Sequence, residues 1–148
     1  MNNKYNHKAI NILVWVIFIS YSACLLFWMF RGFGRVTHTD FRFNYVPLRT
    51  ILGFIVDLSS LNLLTTTINL AGNIGVFIPF GIILPYIFKG LRRYSLFTVY
   101  FITAIIILEI MQTVLRVGIG DIDDVILNYI GASIGFLLYR SFLCKQLS

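Results

Sequence analysis

Charge is what this 148-residue sequence has least of. Lys, Arg, Asp and Glu together make up 12% of it, against roughly 25% in an ordinary soluble chain. With 58% hydrophobic residues and a mean hydropathy of +0.84, the chain cannot cover itself with polar surface. Its solvent is therefore lipid. That removes the usual meaning of its net charge of +6. The basic residues stand beside apolar runs, where they set topology and touch phosphate headgroups, and they do not signal nucleic acid. Cysteine is also scarce. Cys24 and Cys144 form no C-x-x-C and no Cys/His cluster, so neither zinc nor a disulfide framework is indicated. No G-x-S-x-G, phosphate-cradling glycine loop or H-E-x-x-H is present, and no cofactor is implied.

What the sequence does have is long apolar stretches. Residues 10–30 carry no charge and cover roughly 30 Å as a helix, one hydrocarbon core. Tyr21-Ser22-Ala23-Cys24 is a poor cleavage box, so this run reads as a retained signal-anchor helix. Residues 68–88 form the second span, with Gly72, Gly75, Gly81, Pro79 and Pro85 predicting a kink. Residues 95–115 and 125–143 are the third and fourth. The expected fold is all-α, a polytopic membrane protein of four transmembrane helices, with residues 1–148 as one domain.

Between the first two spans the chain turns polar. Gly32 and Gly34 break the first helix. From Leu48 to Leu61, apolar residues keep helical spacing while Arg49, Thr50, Asp57, Ser59 and Ser60 fill the rest. This predicts an amphipathic helix, interfacial or re-entrant, over residues 48–61. Lys4, Lys8, Lys89, Arg92, Arg93, Arg140 and Lys145 fall on one side. Arg31, Arg35, Arg42, Arg49 and Arg116 fall on the other. The first group is larger, which predicts a multi-pass cell-membrane protein with both termini cytoplasmic.

The chemistry gathers between Leu108 and Gly135. Glu109, Gln112 and Arg116 lie at i, i+3 and i+7, on one helical face. Asp121, Asp124, Asn128 and Gly135 repeat at i, i+3, i+7 and i+14, and the short connection lets the two faces meet. An ionised Glu109 at bilayer centre costs on the order of 2.5–3.5 kcal/mol, so it should face protein. Asp121 reads as an N-cap, with Asp123 and Asp124 in the first helical turn, where acids favour the dipole. A cation held by Asp121, Asp124 and Glu109 matches no known loop spacing, so no metal is expected. Gly131 and Gly135 form a GxxxG, a close-packing signal, and Asn62, Thr66, Asn69 and Asn73 form a polar stripe suited to interhelical hydrogen bonds. His38, between two threonines, reads as a surface histidine.

Two stretches carry a resemblance. Asn69 to Pro85 reads N-x-x-G-N-x-x-x-F-x-P-x-G-x-x-L-P, and Glu109 to Tyr139 contains E-x-x-Q and D-x-D-D-x-x-x-N-x-x-G-x-x-x-G. Both resemble patterns of the VanZ-like family of small bacterial membrane proteins. Asn44-Tyr45-Val46-Pro47-Leu48 is a looser match to the family's N-L-x-P-F. Many members place an arginine shortly before the first aspartate; here Gly118-Ile119-Gly120 stands there, with Arg116 further back. The resemblance implies an envelope role bearing on sensitivity to teicoplanin-type glycopeptides, and it supplies no settled reaction.

Two functions are therefore carried forward. In the first, the protein recognises or modifies a lipid-linked or cell-wall component at the outer leaflet. Glu109 and Asp124 are its candidate acid/base pair. Arg42, Arg49 and Arg116 are candidates for holding the phosphate of a precursor or an anionic headgroup. Gln112, Asp121, Asp123, Asn128, Asn69 and Asn73 are the remaining candidate binding residues. In the second, it is a non-catalytic accessory protein that packs on an envelope partner, or on its own copies, through the GxxxG and amide faces. The sequence leaves the choice between enzyme and accessory protein open.

Overall fold

The computed structural model describes residues 2–32, 43–44, 46–49, 51–53, 63–118 and 120–143. The side chains of residues 2–6, 63–69 and 143 lie outside that description. Four long helices carry it: α1 (Asn2–Arg31), α2 (Leu63–Ile87), α3 (Tyr94–Val114) and α4 (Ile122–Leu138). Each is long and apolar enough to cross a membrane, over His7–Arg31, Leu70–Ile87, Tyr94–Val114 and Ile122–Phe142. These agree with the predicted spans to within a few residues. The helix continues through Pro79 and Pro85, both of which withhold a backbone donor.

The tightest contact is between α2 and α4. A Cβ on Gly131 would strike the Ile74 carbonyl, one on Gly135 the Ile78 carbonyl, and one on Gly81 the Ala132 carbonyl. The two backbones therefore touch, which only glycine permits at these three positions. Around them an aromatic core forms from Phe77, Phe97, Phe101 and Phe136, with Ile105 and Ala132. The rings of Phe97 and Phe136 are 4.9 Å apart, and those of Phe97 and Phe101 are stacked at 5.6 Å. On α3 and α4, Tyr129 hydroxyl lies 2.9 Å from Thr98 Oγ1 and 3.0 Å from Tyr94 hydroxyl.

By contrast, α1 is peripheral. None of its span is buried, so lipid solvates most of its circumference. Tyr21 hydroxyl donates to Val76 carbonyl at 2.9 Å and Tyr86 hydroxyl to Asn11 Oδ1 at 3.0 Å, tying it to α2. Trp15 on Phe88 and Tyr21 on Phe80 add ring contacts at 5.7 and 5.4 Å. At the Lys89–Arg92 turn, Arg92 Nε donates to Pro85 carbonyl at 3.3 Å.

The opposite end is stitched by a two-stranded parallel pair, β1 (Phe43–Asn44) with β2 (Gly120–Asp121). Gly120 is buried against the Phe43 ring and Thr113 Oγ1, with no room for a Cβ. The described part of the first connection thus lies directly on the entry to α4. Most of the predicted amphipathic segment lies outside the described residues. Leu48 itself is not helical, having φ 65°, and residues 51–53 are.

Candidate functional site

Glu109 and Gln112 face inward from the last turns of α3, with 4% and 5% of their surface exposed. Gln112 Nε2 donates to the Met29 carbonyl at 2.8 Å, closing the last turn of α1 onto α3. The shared helical face predicted for Arg116 does not extend that far. α3 ends at Val114 with Leu115 as C-cap, and Arg116 takes φ 57°, exposed. Arg116 N–H donates to Thr113 carbonyl at 3.0 Å and Val117 N–H to Gln112 carbonyl at 3.1 Å. This pair of bonds is a Schellman closure with arginine where glycine is usual. Arg116 therefore leaves the helix axis at the point where periodicity would have kept it in line.

The three aspartates divide the work among them. Asp121, at φ −130°, accepts from the Asp123 N–H at 2.9 Å and caps α4 as expected. It also accepts from Asn44 Nδ2 at 3.3 and 3.2 Å, while Asn44 Oδ1 takes the Val46 N–H at 3.3 Å. Asp123 is fully buried, at 0% exposure. Its two oxygens accept from the backbone N–H of Leu48 at 2.6 Å and of Ile51 at 3.1 Å. Beyond favouring the dipole of α4, this carboxylate caps a second, remote helical turn and pins the first connection. Nothing in the sequence marks Asp123 for that role. Asp124 turns the other way and accepts from Asn73 Nδ2 of α2 at 2.8 Å.

Glu109, Gln112, Asp124, Asn128 and Asn73 all line one cavity of about 480 Å³ between the four helices. Among the described residues lining it there is no lysine or arginine. Asn128 is 3% exposed, and its Oδ1 has no hydrogen-bond partner among the described atoms. The α1 wall of the cavity was not foreseen: Tyr21 and Trp28 give it aromatic rings, with Met29 beside them. Tyr21, Cys24, Leu25 and Trp28 do repeat at helical spacing, but an ordinary lipid-facing stripe repeats in the same way.

Asp121 and Asp123 do not line the cavity; they bind the first connection beside it. Arg49 is exposed in the turn after Leu48. Arg42, His38 and Asn62 lie outside the described residues, as does the side chain of Asn69. No group of three or more His, Cys, Asp or Glu residues poised for a metal occurs among the described residues. Gly131 and Gly135 are occupied within the molecule by α2, so the GxxxG does not offer a free face to a partner.

A multi-pass helical membrane protein with a buried carboxylate and amide cavity, and a polar connection docked beside it, is the class these features define. The chain matches the VanZ/LLP1 family over residues 10–144 and belongs to that family. It is 36% identical over 67 residues to Protein VanZ of Enterococcus faecium, a match covering 45% of this chain and 41% of that relative. No solved structure matches the chain.

Proposed function

We propose that this protein acts at the outer leaflet on a lipid-linked or cell-wall component and thereby influences sensitivity to teicoplanin-type glycopeptides. The observation that carries the reading is the single cavity lined by both Glu109 and Asp124, with Asn73, Gln112 and Asn128 around them. Ionisable groups inside a membrane protein line sites and pathways far more often than they serve packing. Two carboxylates in unlike surroundings can divide acid and base roles. Asp124 has a neighbouring amide donor at 2.8 Å, and Glu109 sits deeper on α3. Exposed Arg49 and Arg116 flank the same end of the bundle and suit a phosphate at the rim. The excess of basic residues at the other end supports an outward-facing cavity.

The experiment is glycopeptide sensitivity of cells expressing Glu109→Gln or Asp124→Asn, normalised to protein level in the membrane. Both swaps preserve shape, and each should abolish the effect of expression. The double variant should lose little more, because groups acting as a unit are non-additive. Full activity of both single variants at normal abundance would reduce the carboxylates to structural contacts.

A further inference from the structure

A second cavity, about 530 Å³ and almost wholly apolar, lies between α1, α2 and α3. Its floor on α3 runs from Leu108 to Phe97, roughly 16 Å along the helix axis. Leu25 and Phe77 line both this groove and the polar cavity, so the two adjoin at that point. Along the groove beside Leu25 stands Ser22, whose buried Oγ has no hydrogen-bond partner among the described atoms.

The polar cavity presents two acid groups, Glu109 and Asp124, and no cationic side chain among its described lining residues. Two of its amide donors are already engaged, Gln112 Nε2 with Met29 carbonyl and Asn73 Nδ2 with Asp124. Asn128 Oδ1, an acceptor, is the buried amide atom left over. Leaving such an atom without a partner costs about 1–3 kcal/mol. A ligand that donates hydrogen bonds and carries positive charge relieves that cost. Tyr21 and Trp28 supply aromatic faces in the same cavity, and these attract cations further. A headgroup that brings a phosphate without an ammonium is repelled by the same carboxylates.

Resting on the outer-leaflet reading above, we infer that the two cavities hold one amphiphile, a lipid with an ammonium-bearing headgroup. The headgroup ammonium meets Asn128, Glu109 and Asp124. An ester carbonyl passes Ser22 Oγ. One hydrocarbon chain lies along Phe18, Phe80 and Phe101 in the groove, at a depth where lipid is the solvent.

The test is native mass spectrometry of the full chain in detergent, offered an equimolar mixture of three dioleoyl lipids. These carry phosphoethanolamine, phosphoglycerol and uncharged glucosyl headgroups. The ethanolamine lipid should be retained about tenfold over the glycerol lipid. Asn128→Leu and Glu109→Gln should each reduce that preference about fivefold, and Ser22→Ala should lower retention about threefold. Leu25→Trp, which blocks the junction, should abolish retention, while Leu137→Trp on the exposed face of α4 should not. Melting temperature identifies any variant that fails to fold, and the wild-type preference then decides by itself. Equal retention of the ethanolamine and glycerol lipids, or a preference for the glucosyl lipid, overturns the ammonium assignment. Retention unaffected by Leu25→Trp overturns the single-amphiphile arrangement. If these fail while Glu109→Gln and Asp124→Asn still abolish the drug effect, the ligand is wrong and the functional site stands. If the drug effect persists while the ethanolamine lipid is selectively retained, the functional reading falls and the lipid site stands.

Discussion

Asp121, Asp123 and Asp124 are near neighbours in sequence and face three different structures. Spacing was sufficient to recognise Asp121 as a cap, because the cap geometry is local. It set Asp124 on the face of Asn128, but it could not show what Asp123 meets, since those partners, Leu48 and Ile51, are remote in sequence. The consequence is a ranking opposite to their similar chemistry. Asp121→Asn should leave stability within about 0.5 kcal/mol, because asparagine caps equally well. Asp123→Asn turns one acceptor into a donor aimed at a buried N–H, from Leu48 or Ile51, and should cost about 1–3 kcal/mol. Thermal unfolding of the two purified variants in one detergent measures both, and equal losses would contradict the remote cap.

Helix pairing follows from small residues, and the sequence showed which ones they were without showing which neighbour they meet. Gly131 and Gly135 meet α2 at Ile74 and Ile78. Gly135→Val should destabilise the protein by about 1–3 kcal/mol through overpacking of two touching backbones. Gly75→Ala on the exposed side of the same helix α2, with nothing within 4 Å of its added Cβ, should be tolerated. A protease-resistance or unfolding assay separates them. At the end of α3, Arg116 holds φ 57°, a conformation that disfavours any L side chain by about 1–2 kcal/mol. Arg116→Gly should therefore raise stability by less than about 1 kcal/mol, offset in part by added freedom in the unfolded chain. If it lowers stability instead, the guanidinium contributes contacts that outweigh the backbone. Helical periodicity failed at Arg116 because a run of suitable residues says little about where the last turn closes.

At the scale of the molecule, four apolar runs became four helices with ends close to those expected. Hydrophobic length is a direct measure of bilayer thickness, and no tertiary information is needed to apply it. The basic residues predict an orientation with both termini cytoplasmic, and labelling tests it. With Cys24 and Cys144 removed, Gly118→Cys should react with an impermeant thiol reagent from outside intact cells. Gly90→Cys, in the exposed turn between α2 and α3, should react only after lysis. The reversed pattern would turn the cavity toward the cytoplasm and end the outer-leaflet reading.

The sequence by itself determined the solvent, the number of spans, the cap at Asp121 and the close-packing glycines. Each of these depends on composition or on residues within a few positions of one another. It also placed Glu109, Gln112, Asp124 and Asn128 on inward faces, because unsolvated polar groups at helical spacing must share a side. Only the tertiary structure decided that α1 supplies an aromatic wall to their cavity. It alone decided that Asn44 and Leu48 dock on Asp121 and Asp123, more than seventy residues away. The physical reason is that these contacts join surfaces with no common period. Their partners are chosen by how helices cross and where loops return, and neither is written in the local pattern of any one helix.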